Sequence, residues 1–257
     1  MNWAAMRTAY ATIVRKEVTR FMRIWQQTLL PPVMTTSLYF VIFGNLIGPR
    51  IGSMEGHRYI DFIVPGLILM AVITNAYANV SSSFFSAKFQ RSIEELQVSP
   101  TPNSIILLGY VSGGVVRGVL VGVIVAAVSS LFGQLSAHSY AVMASVIVLT
   151  ALLFSLGGFL NGVFARTFDD ISIVPNFILT PLTYLGGIFY SIKLLPEFWQ
   201  GVSHINPILY MINAFRYGFL GITDIHLGVS YTLILLFTAG LFALNLKLLN
   251  DGYGIRE

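Results

Sequence analysis

Residues suited to acid–base or metal chemistry are few in this chain, and they lie far apart. The histidines are His57, His138, His204 and His226. None of them has a second ligand at metal-binding spacing, so we interpret them as loop residues. Asp169 and Asp170 are adjacent, and adjacent residues on a helix do not face each other. The sequence therefore predicts no catalytic residue and no metal site.

Nucleotide hydrolysis by this chain is not expected either. The phosphate-binding motif G-x-x-x-x-G-K-[ST] needs a lysine directly after a glycine. The lysines are Lys16, Lys88, Lys193 and Lys247, and none of them follows a glycine. Cysteine is absent, which excludes disulfides, zinc–thiolate sites and cysteine nucleophiles. If the protein carries out active transport, another chain must supply the energy.

The composition indicates a membrane protein. Only 10% of the residues are charged and 55% are apolar, whereas soluble domains carry about 25% charged residues. The formal net charge is +4, and the basic residues separate apolar stretches. That arrangement indicates anchoring at lipid headgroups rather than nucleic-acid binding. The predicted fold class is an all-α polytopic membrane protein.

Several apolar stretches are long enough to cross a bilayer, which takes about 20 residues. We predict six spans, at 28–48, 62–87, 104–133, 139–164, 171–192 and 227–247. The segment 193–222 is also apolar, but the helix that follows Asn206 would be only about 22 Å long. We expect a re-entrant helix pair here, with Asn206 as the cap of the second helix and Pro207 at its first position.

The distribution of basic residues predicts the orientation. An even number of spans places both termini on the same side of the membrane. If that side is the cytoplasm, the outer segments hold only Arg50, Arg58, Lys193 and Arg216. Cytoplasmic segments carry the excess of lysine and arginine, so we expect both termini inside.

Residues 1–27 read as an amphipathic helix lying along the membrane surface. Its apolar residues recur every three or four positions and are Trp3, Met6, Tyr10, Ile13, Val14, Val18, Phe21 and Trp25. Lys16, Arg20 and Arg23 line another face. The helix is either a simple anchor or a lever on which another protein acts, and the sequence leaves both interpretations open.

The stretch 88–100, "KFQRSIEELQVSP", places a charged helix between two apolar spans. Its apolar residues, Phe89, Ile93 and Leu96, repeat at helical spacing and predict one face against the membrane or the first helix. Its charged residues, Arg91, Glu94 and Glu95, then point away. A merely solvated turn could be much shorter than this segment.

Arg117 and a few polar residues lie inside predicted spans. Arg117 either extends to the inner headgroups or lines a substrate path. Polar residues in the second and fifth spans either serve helix packing or build a transport site. No aspartate or glutamate is predicted at mid-depth, which argues against a proton- or sodium-coupled pump.

Four stretches resemble the ABC-2 permeases, the transmembrane subunits of ABC exporters. They are "FIVPGLILMAVITNAYANV" (62–80), "KFQRSIEELQVSP" (88–100), "FARTFDDISIVPNFILTPLTYLGGIFYSIKLLP" (164–196) and "HINPILYMINAFRYGFLG" (204–221). The resemblance extends over nearly the whole chain. It implies the ABCG-like fold of type V exporters in a bacterial cytoplasmic membrane, and a permease homodimer with two copies of a separate ATPase subunit that binds ATP and Mg²⁺.

The resemblance also implies roles for individual segments. Residues 1–27 would be the connecting helix, with Lys16, Arg20 and Arg23, and 28–257 a single transmembrane domain. Segment 88–100 would be the coupling helix, which docks on the ATPase through Phe89, Arg91, Ile93, Glu94, Glu95 and Leu96. The second and fifth spans would line the path, with Thr74, Asn75, Asn79, Phe177, Thr180, Tyr184 and Phe189 as candidates.

A further hypothesis concerns the outer end of the path. Phe177 and Tyr184, together with a hinge at Gly186–Gly187, would gate it. The resemblance implies export of a drug-like amphiphile, a lipid or a glycan. The alternative is a carrier or channel that works without an ATPase.

Overall fold

The structure is a computed structural model that describes residues 3–133 and 137–253. Two short antiparallel strands, β1 (Ser53–Met54) and β2 (His57–Arg58), pair before the longest helix. The helices are α1 (Trp3–Arg23), α2 (Trp25–Thr28), α3 (Leu30–Tyr39), α4 (Gly48–Ile51), α5 (Tyr59–Phe89), α6 (Ser92–Val98), α7 (Asn103–Ser129), α8 (Tyr140–Phe164), α9 (Asp170–Val174), α10 (Thr180–Leu185), α11 (Glu197–Ile205), α12 (Pro207–Leu220) and α13 (Leu227–Asp251).

Among the described residues, 5 helical stretches are long and apolar enough to cross a membrane. The first, Trp25–Ile51, joins α2, α3 and α4 through a π-helical stretch at Phe40–Ile47. The others are α5, α7, α8 and α13. Each coincides with a predicted span, and apart from the short β1–β2 pair the regular structure of the described residues is helical, as the composition indicates.

The fifth predicted span, 171–192, is helical over a shorter length than expected. The helix runs from Asp170 to Leu185 with a π-helical stretch at Pro175–Leu179, and is about 24 Å long at 1.5 Å per residue. Pro175 has no N–H to donate, which favours the local change in helix type. Gly187 then adopts a positive φ of 79°, which side chains rarely tolerate. The predicted boundary at 192 is therefore wrong.

Helix α5 forms the centre of the molecule, and α7 and α8 pack against it along most of its length. Small residues permit this close approach. A Cβ atom on Gly118 of α7 would meet the Cβ of Ala76 at 2.9 Å, and one on Gly158 of α8 would meet the backbone of Tyr77. Membrane helices pack through such small residues because lipid supplies no hydrophobic driving force between them.

The helix ends form two groups at opposite ends of the bundle. At the α6 end, Lys88 Nζ donates to the carbonyls of Val163 and Ala165 at 2.8 and 2.9 Å. There too, Asn103 Nδ2 donates to Asn250 Oδ1 at 2.9 Å. At the α12 end, the backbone N–H of Ser139 donates to the carbonyl of Gly218 at 2.9 Å. These contacts fix the connections between spans at both ends.

The close packing of α7 on α5 generates a stability prediction. We expect Gly118→Val to lower the free energy of unfolding by about 1–3 kcal/mol, because the added methyl groups would overlap the α5 surface. The matched control is Gly240→Val in α13, where a Cβ meets nothing within 4 Å. Thermal unfolding of the purified variants in detergent measures the difference. Equal unfolding midpoints for the two variants would contradict this packing.

Candidate transport site

Helix α1 buries a carboxylate against the core. Ile13, Glu17 and Phe21 face inward at four-residue spacing, and Glu17 has no exposed surface. Its Oε1 accepts a hydrogen bond from Ser83 Oγ of α5 at 2.7 Å, and its Oε2 accepts one from Arg20 Nη2 at 3.2 Å. The sequence reasoning missed Glu17, although its position midway between the apolar Ile13 and Phe21 was a usable signal.

Arg20 joins this carboxylate to the core helix. Its Nη2 donates to the backbone carbonyl of Asn79 at 3.0 Å and to Asn79 Oδ1 at 2.9 Å. Two predicted site residues from separate segments, Arg20 and Asn79, are thus brought together. The other two basic candidates on α1 are exposed: Lys16 lies 5.8 Å from the centre of the Tyr110 ring, and Arg23 ends the helix.

Arg117 enters the same set of contacts from α7. Its Nη2 donates to Asn75 Oδ1 at 3.0 Å and to the carbonyl of Thr28 at 3.4 Å. Its Nη1 lies 3.5 Å from Asn79 Oδ1. The guanidinium therefore points into the bundle towards α5, from near the middle of α7. We call Glu17, Arg20, Asn75, Asn79, Ser83 and Arg117 the polar network.

The polar network joins three elements of the fold. A buried charge is stable only when paired and hydrogen-bonded, so α1, α5 and α7 are tied together through it. Helix α1 is consequently more than a surface anchor, because its carboxylate and guanidinium both bond directly to α5.

A groove opens beside the polar network, between the first span and α5. Its volume is about 340 Å³. Thr74 and Asn75, both predicted path residues, lie at one end of the groove with Thr28 and Arg117, and Tyr39 and Leu67 lie at the other end. Thr74 is exposed and its hydroxyl donates to the carbonyl of Met70 at 2.9 Å. The groove size is within the usual range of ligand pockets.

The remaining path candidates separate into two sets. The Tyr184 hydroxyl lies 3.2 Å from the Tyr39 hydroxyl, and the Phe189 ring stacks on Tyr184 at 5.8 Å. Both residues therefore contact Tyr39 of the first span, beside the groove. Phe177 is 76% exposed, and the Thr180 hydroxyl donates to the carbonyl of Pro175 at 2.9 Å within its own helix. In the single chain, Tyr184 of the predicted gate lies beside the groove together with Phe189, whereas Phe177 of that gate does not.

The backbone at Gly186–Gly187 is bonded to a side chain of α12. Arg216 Nη2 donates to the carbonyl of Gly187 at 2.6 Å, and its guanidinium lies 3.9 Å from the centre of the Phe62 ring. Asn206 caps α12 as expected, since its Oδ1 accepts the N–H of Ile208 at 3.0 Å. The sequence placed Arg216 in an outer segment and predicted neither its burial nor its contacts.

A surface ion pair lies at the α12 end of the bundle. Lys193 Nζ lies 2.6 Å from Asp224 Oδ1 and 3.3 Å from Glu55 Oε1. The hydrogen bond to Asp224 raises the pKa of Lys193 above its usual value, so the ammonium keeps its charge throughout the neutral range. Because Lys193 is largely exposed, this pair contributes little to stability.

The predicted coupling helix is shorter than 88–100. Helix α5 continues to Phe89, Arg91 adopts a left-handed conformation with φ of 58°, and α6 spans only Ser92–Val98. Phe89 is therefore on a different helix from Ile93 and packs its ring on Phe168 at 5.2 Å. The helical spacing of the apolar residues concealed this break.

The short helix α6 divides its residues as predicted. Ile93 is buried and Leu96 is half-buried, whereas Arg91, Glu94 and Glu95 are exposed. Among the described residues, Arg91 makes no ion pair with either glutamate. The acidic side chains are therefore available on the surface of the single chain.

The remaining ionisable candidates behave as structural residues. His226 Nδ1 accepts the N–H of Gly228 at the start of α13, and Asp170 Oδ2 accepts two backbone N–H groups, from Arg166 and Thr167. No group of three His, Cys, Asp or Glu residues that could hold a metal occurs within residues 3–133 and 137–253.

Comparisons with known proteins agree with this architecture. The sequence model for "ABC-2 type transporter" matches residues 8–220. The chain belongs to the ABC-2 type transporter family. It is 59% identical to the inner membrane transport permease YadH of Escherichia coli K12 over 100% of this chain and 99% of that protein. It is 22% identical to Nodulation protein J of Rhizobium meliloti over 89% of this chain and 85% of that protein.

Membership of the ABC-2 family identifies the chain as a multi-pass transport permease of an inner membrane, the membrane subunit of an ABC transporter. Permeases of this family associate with an ATPase subunit. The polar network and the groove described above therefore belong to a permease.

The buried carboxylate generates a prediction for the polar network. We expect Glu17→Gln to lower the free energy of unfolding by about 3 kcal/mol, because the half-buried Arg20 would lose its carboxylate partner and the polar network would keep two guanidinium groups with no negative charge. Thermal unfolding in detergent measures the effect. Ser83→Ala is the control, since it removes one hydrogen bond to the carboxylate and leaves the charges unchanged, at a cost of about 1.5 kcal/mol. A Glu17→Gln variant no less stable than this control would show that the charge is unimportant.

Proposed function

We propose that this permease is half of the membrane part of an ATP-driven exporter. Two copies form a homodimer, and each binds one copy of a separate cytoplasmic ATPase subunit that holds ATP and Mg²⁺. The chain itself catalyses no reaction. The cargo is a drug-like amphiphile, a lipid or a glycan, which moves across the bacterial cytoplasmic membrane.

The observation that carries this proposal is the construction of α6. A short helix with exposed Glu94 and Glu95 projects directly from the end of α5, and Ile93 anchors it in the core. Lys88 fixes the same corner through the carbonyls at the end of α8. Force applied to α6 would therefore reach α5 without passing through a flexible linker.

The proposed topology has six spans with both termini in the cytoplasm. The segment from Asp170 to Leu185 is the fifth span, and α11 and α12 form the external re-entrant pair. Contacts at the end of the fifth segment support this assignment, because Asn206 Nδ2 donates to the carbonyl of Leu182 and Arg216 donates to Gly187. A short span capped by buried polar contacts does not expose its backbone to lipid.

ATP binding would then change the position of α6 and α1 together. The ATPase subunits close on ATP, and the helices that contact them shift the permease between inward- and outward-facing states. The polar network supports this mechanism, since it bonds α1 to α5 beside the groove. Residues 1–27 act as the connecting helix and 28–257 as one transmembrane domain.

A charge reversal on α6 tests the docking role. We expect the double variant Glu94→Lys with Glu95→Lys to fold and insert normally, because both side chains are exposed. It should lose co-purification of its ATPase subunit and lose export in reconstituted vesicles. The matched control is Glu197→Lys, which reverses an exposed charge on α11 at the opposite end.

The same purified proteins and vesicles distinguish an ATP-driven exporter from an ATP-independent carrier or channel. If the double variant still co-purifies with the ATPase and still exports cargo, α6 is not part of the docking surface. If vesicles that contain the permease alone transport cargo, the protein is an ATP-independent carrier or channel and the exporter assignment is wrong.

A further inference from the structure

The groove beside the polar network has one polar end and one apolar end. On α5, Leu67, Met70, Thr74 and Ala78 face it at helical spacing, and on the first span its wall runs from Gln27 to Tyr39. The distance along α5 from Leu67 to Ala78 is about 16 Å. A groove of this length can hold the alkyl chain of an amphiphile, and it ends at a charged group.

The charged group at the polar end is Arg117, and its acceptors are all neutral. They are the amide oxygens of Asn75 and Asn79 and the carbonyl of Thr28. The carboxylate of Glu17 is paired with Arg20. The polar network thus contains two guanidinium groups and one carboxylate, which leaves one positive charge without a counter-charge among the described residues.

Hydrogen bonding in the network shows the same imbalance. Arg117 Nε, Arg20 Nε and Asn79 Nδ2 are buried and donate to no described residue. The Asn79 side chain is fully buried, and Arg117 lines the groove itself. A buried donor without an acceptor is costly, so a site with surplus donors and surplus positive charge favours an anion.

We propose that this groove binds an anionic amphiphile, with a phosphate or carboxylate on Arg117 and the apolar chain lying between Pro31 and Leu67 towards Tyr39. Guanidinium groups bind both kinds of anion with paired hydrogen bonds. This inference rests on the proposed function and sharpens it, since it names acidic amphiphiles as the cargo class. Neutral glycans and neutral drugs would leave the charge of Arg117 uncompensated.

Binding to the purified permease tests the groove without any ATPase. The probe is dodecyl phosphate, titrated into the full chain in nanodiscs of phosphatidylcholine, with dodecyl maltoside as the neutral probe of equal chain length. We expect saturable binding of dodecyl phosphate, and Arg117→Gln should weaken it about tenfold to a hundredfold, the effect of losing a charged hydrogen-bonded partner. Arg50→Gln, at an exposed position on α4, should bind normally.

Two further variants keep the test decisive if Arg117→Gln unfolds. Arg117→Lys retains the charge but not the paired hydrogen bonds, so its affinity should lie between those of Arg117→Gln and the unchanged chain. Ala78→Phe fills the groove from the exposed side of α5 and should abolish binding while the polar network stays intact. Equal binding of both probes, or unchanged binding in Ala78→Phe, would overturn the proposal.

A second arm distinguishes cargo from a resident lipid. In vesicles of phosphatidylcholine containing the permease with its ATPase, dodecyl phosphate should stimulate ATP hydrolysis, and Ala78→Phe should remove the stimulation. If phosphatidylglycerol displaces the probe and stimulates no hydrolysis, the groove holds a bilayer lipid and the assignment as cargo is wrong. Loss of the ATPase complex itself would instead count against the proposed function, because the nanodisc binding arm does not depend on it.

Discussion

The buried charge of Glu17 is the constraint on which the packing of α1 against α5 and α7 depends. A carboxylate with no exposed surface must find its donors within the protein, because lipid offers none. Those donors come from Ser83 on α5 and from Arg20, which also bonds Asn79. Helix α1 cannot leave α5 without uncovering unpaired charge. The amphipathic helix and the core helix therefore behave as one body, and Arg117 extends this body to α7.

Most of the fold could be predicted because lipid imposes a simple requirement on sequence. Long uncharged stretches become spans, and α5, α7, α8 and α13 agree with their predicted positions to within a few residues at most ends. Hydropathy carries no information on the backbone conformation that ends a helix, however. The left-handed conformations of Gly187 and Arg91 end helices within stretches whose side-chain spacing fits a longer helix. Both boundary errors have this cause.

The candidate site was predictable only in part, for a related reason. Asn75 and Asn79 stood out because amides are rare within an uncharged span. Their partners did not, since a hydrogen bond between helices depends on which helices are neighbours and on how they are rotated. Arg117 illustrates the difference: the sequence placed it within a span and left its environment open, and the direction of its guanidinium is set by the two asparagines on α5.

The two functional regions are connected by one element, α5, which is about 46 Å long at 1.5 Å per residue. At one end its Tyr59 hydroxyl donates to the carbonyl of Phe189 at 3.0 Å, and Phe62 lies under Arg216. At the other end it carries Phe89 and leads into α6. Pro65 lies between these two ends, and a proline inside a helix removes one backbone hydrogen bond. Helix α5 therefore connects α6 with the aromatic residues beside Gly186–Gly187, and Pro65 is the position at which it bends most readily. This single helix thus forms a direct connection between the two ends of the permease.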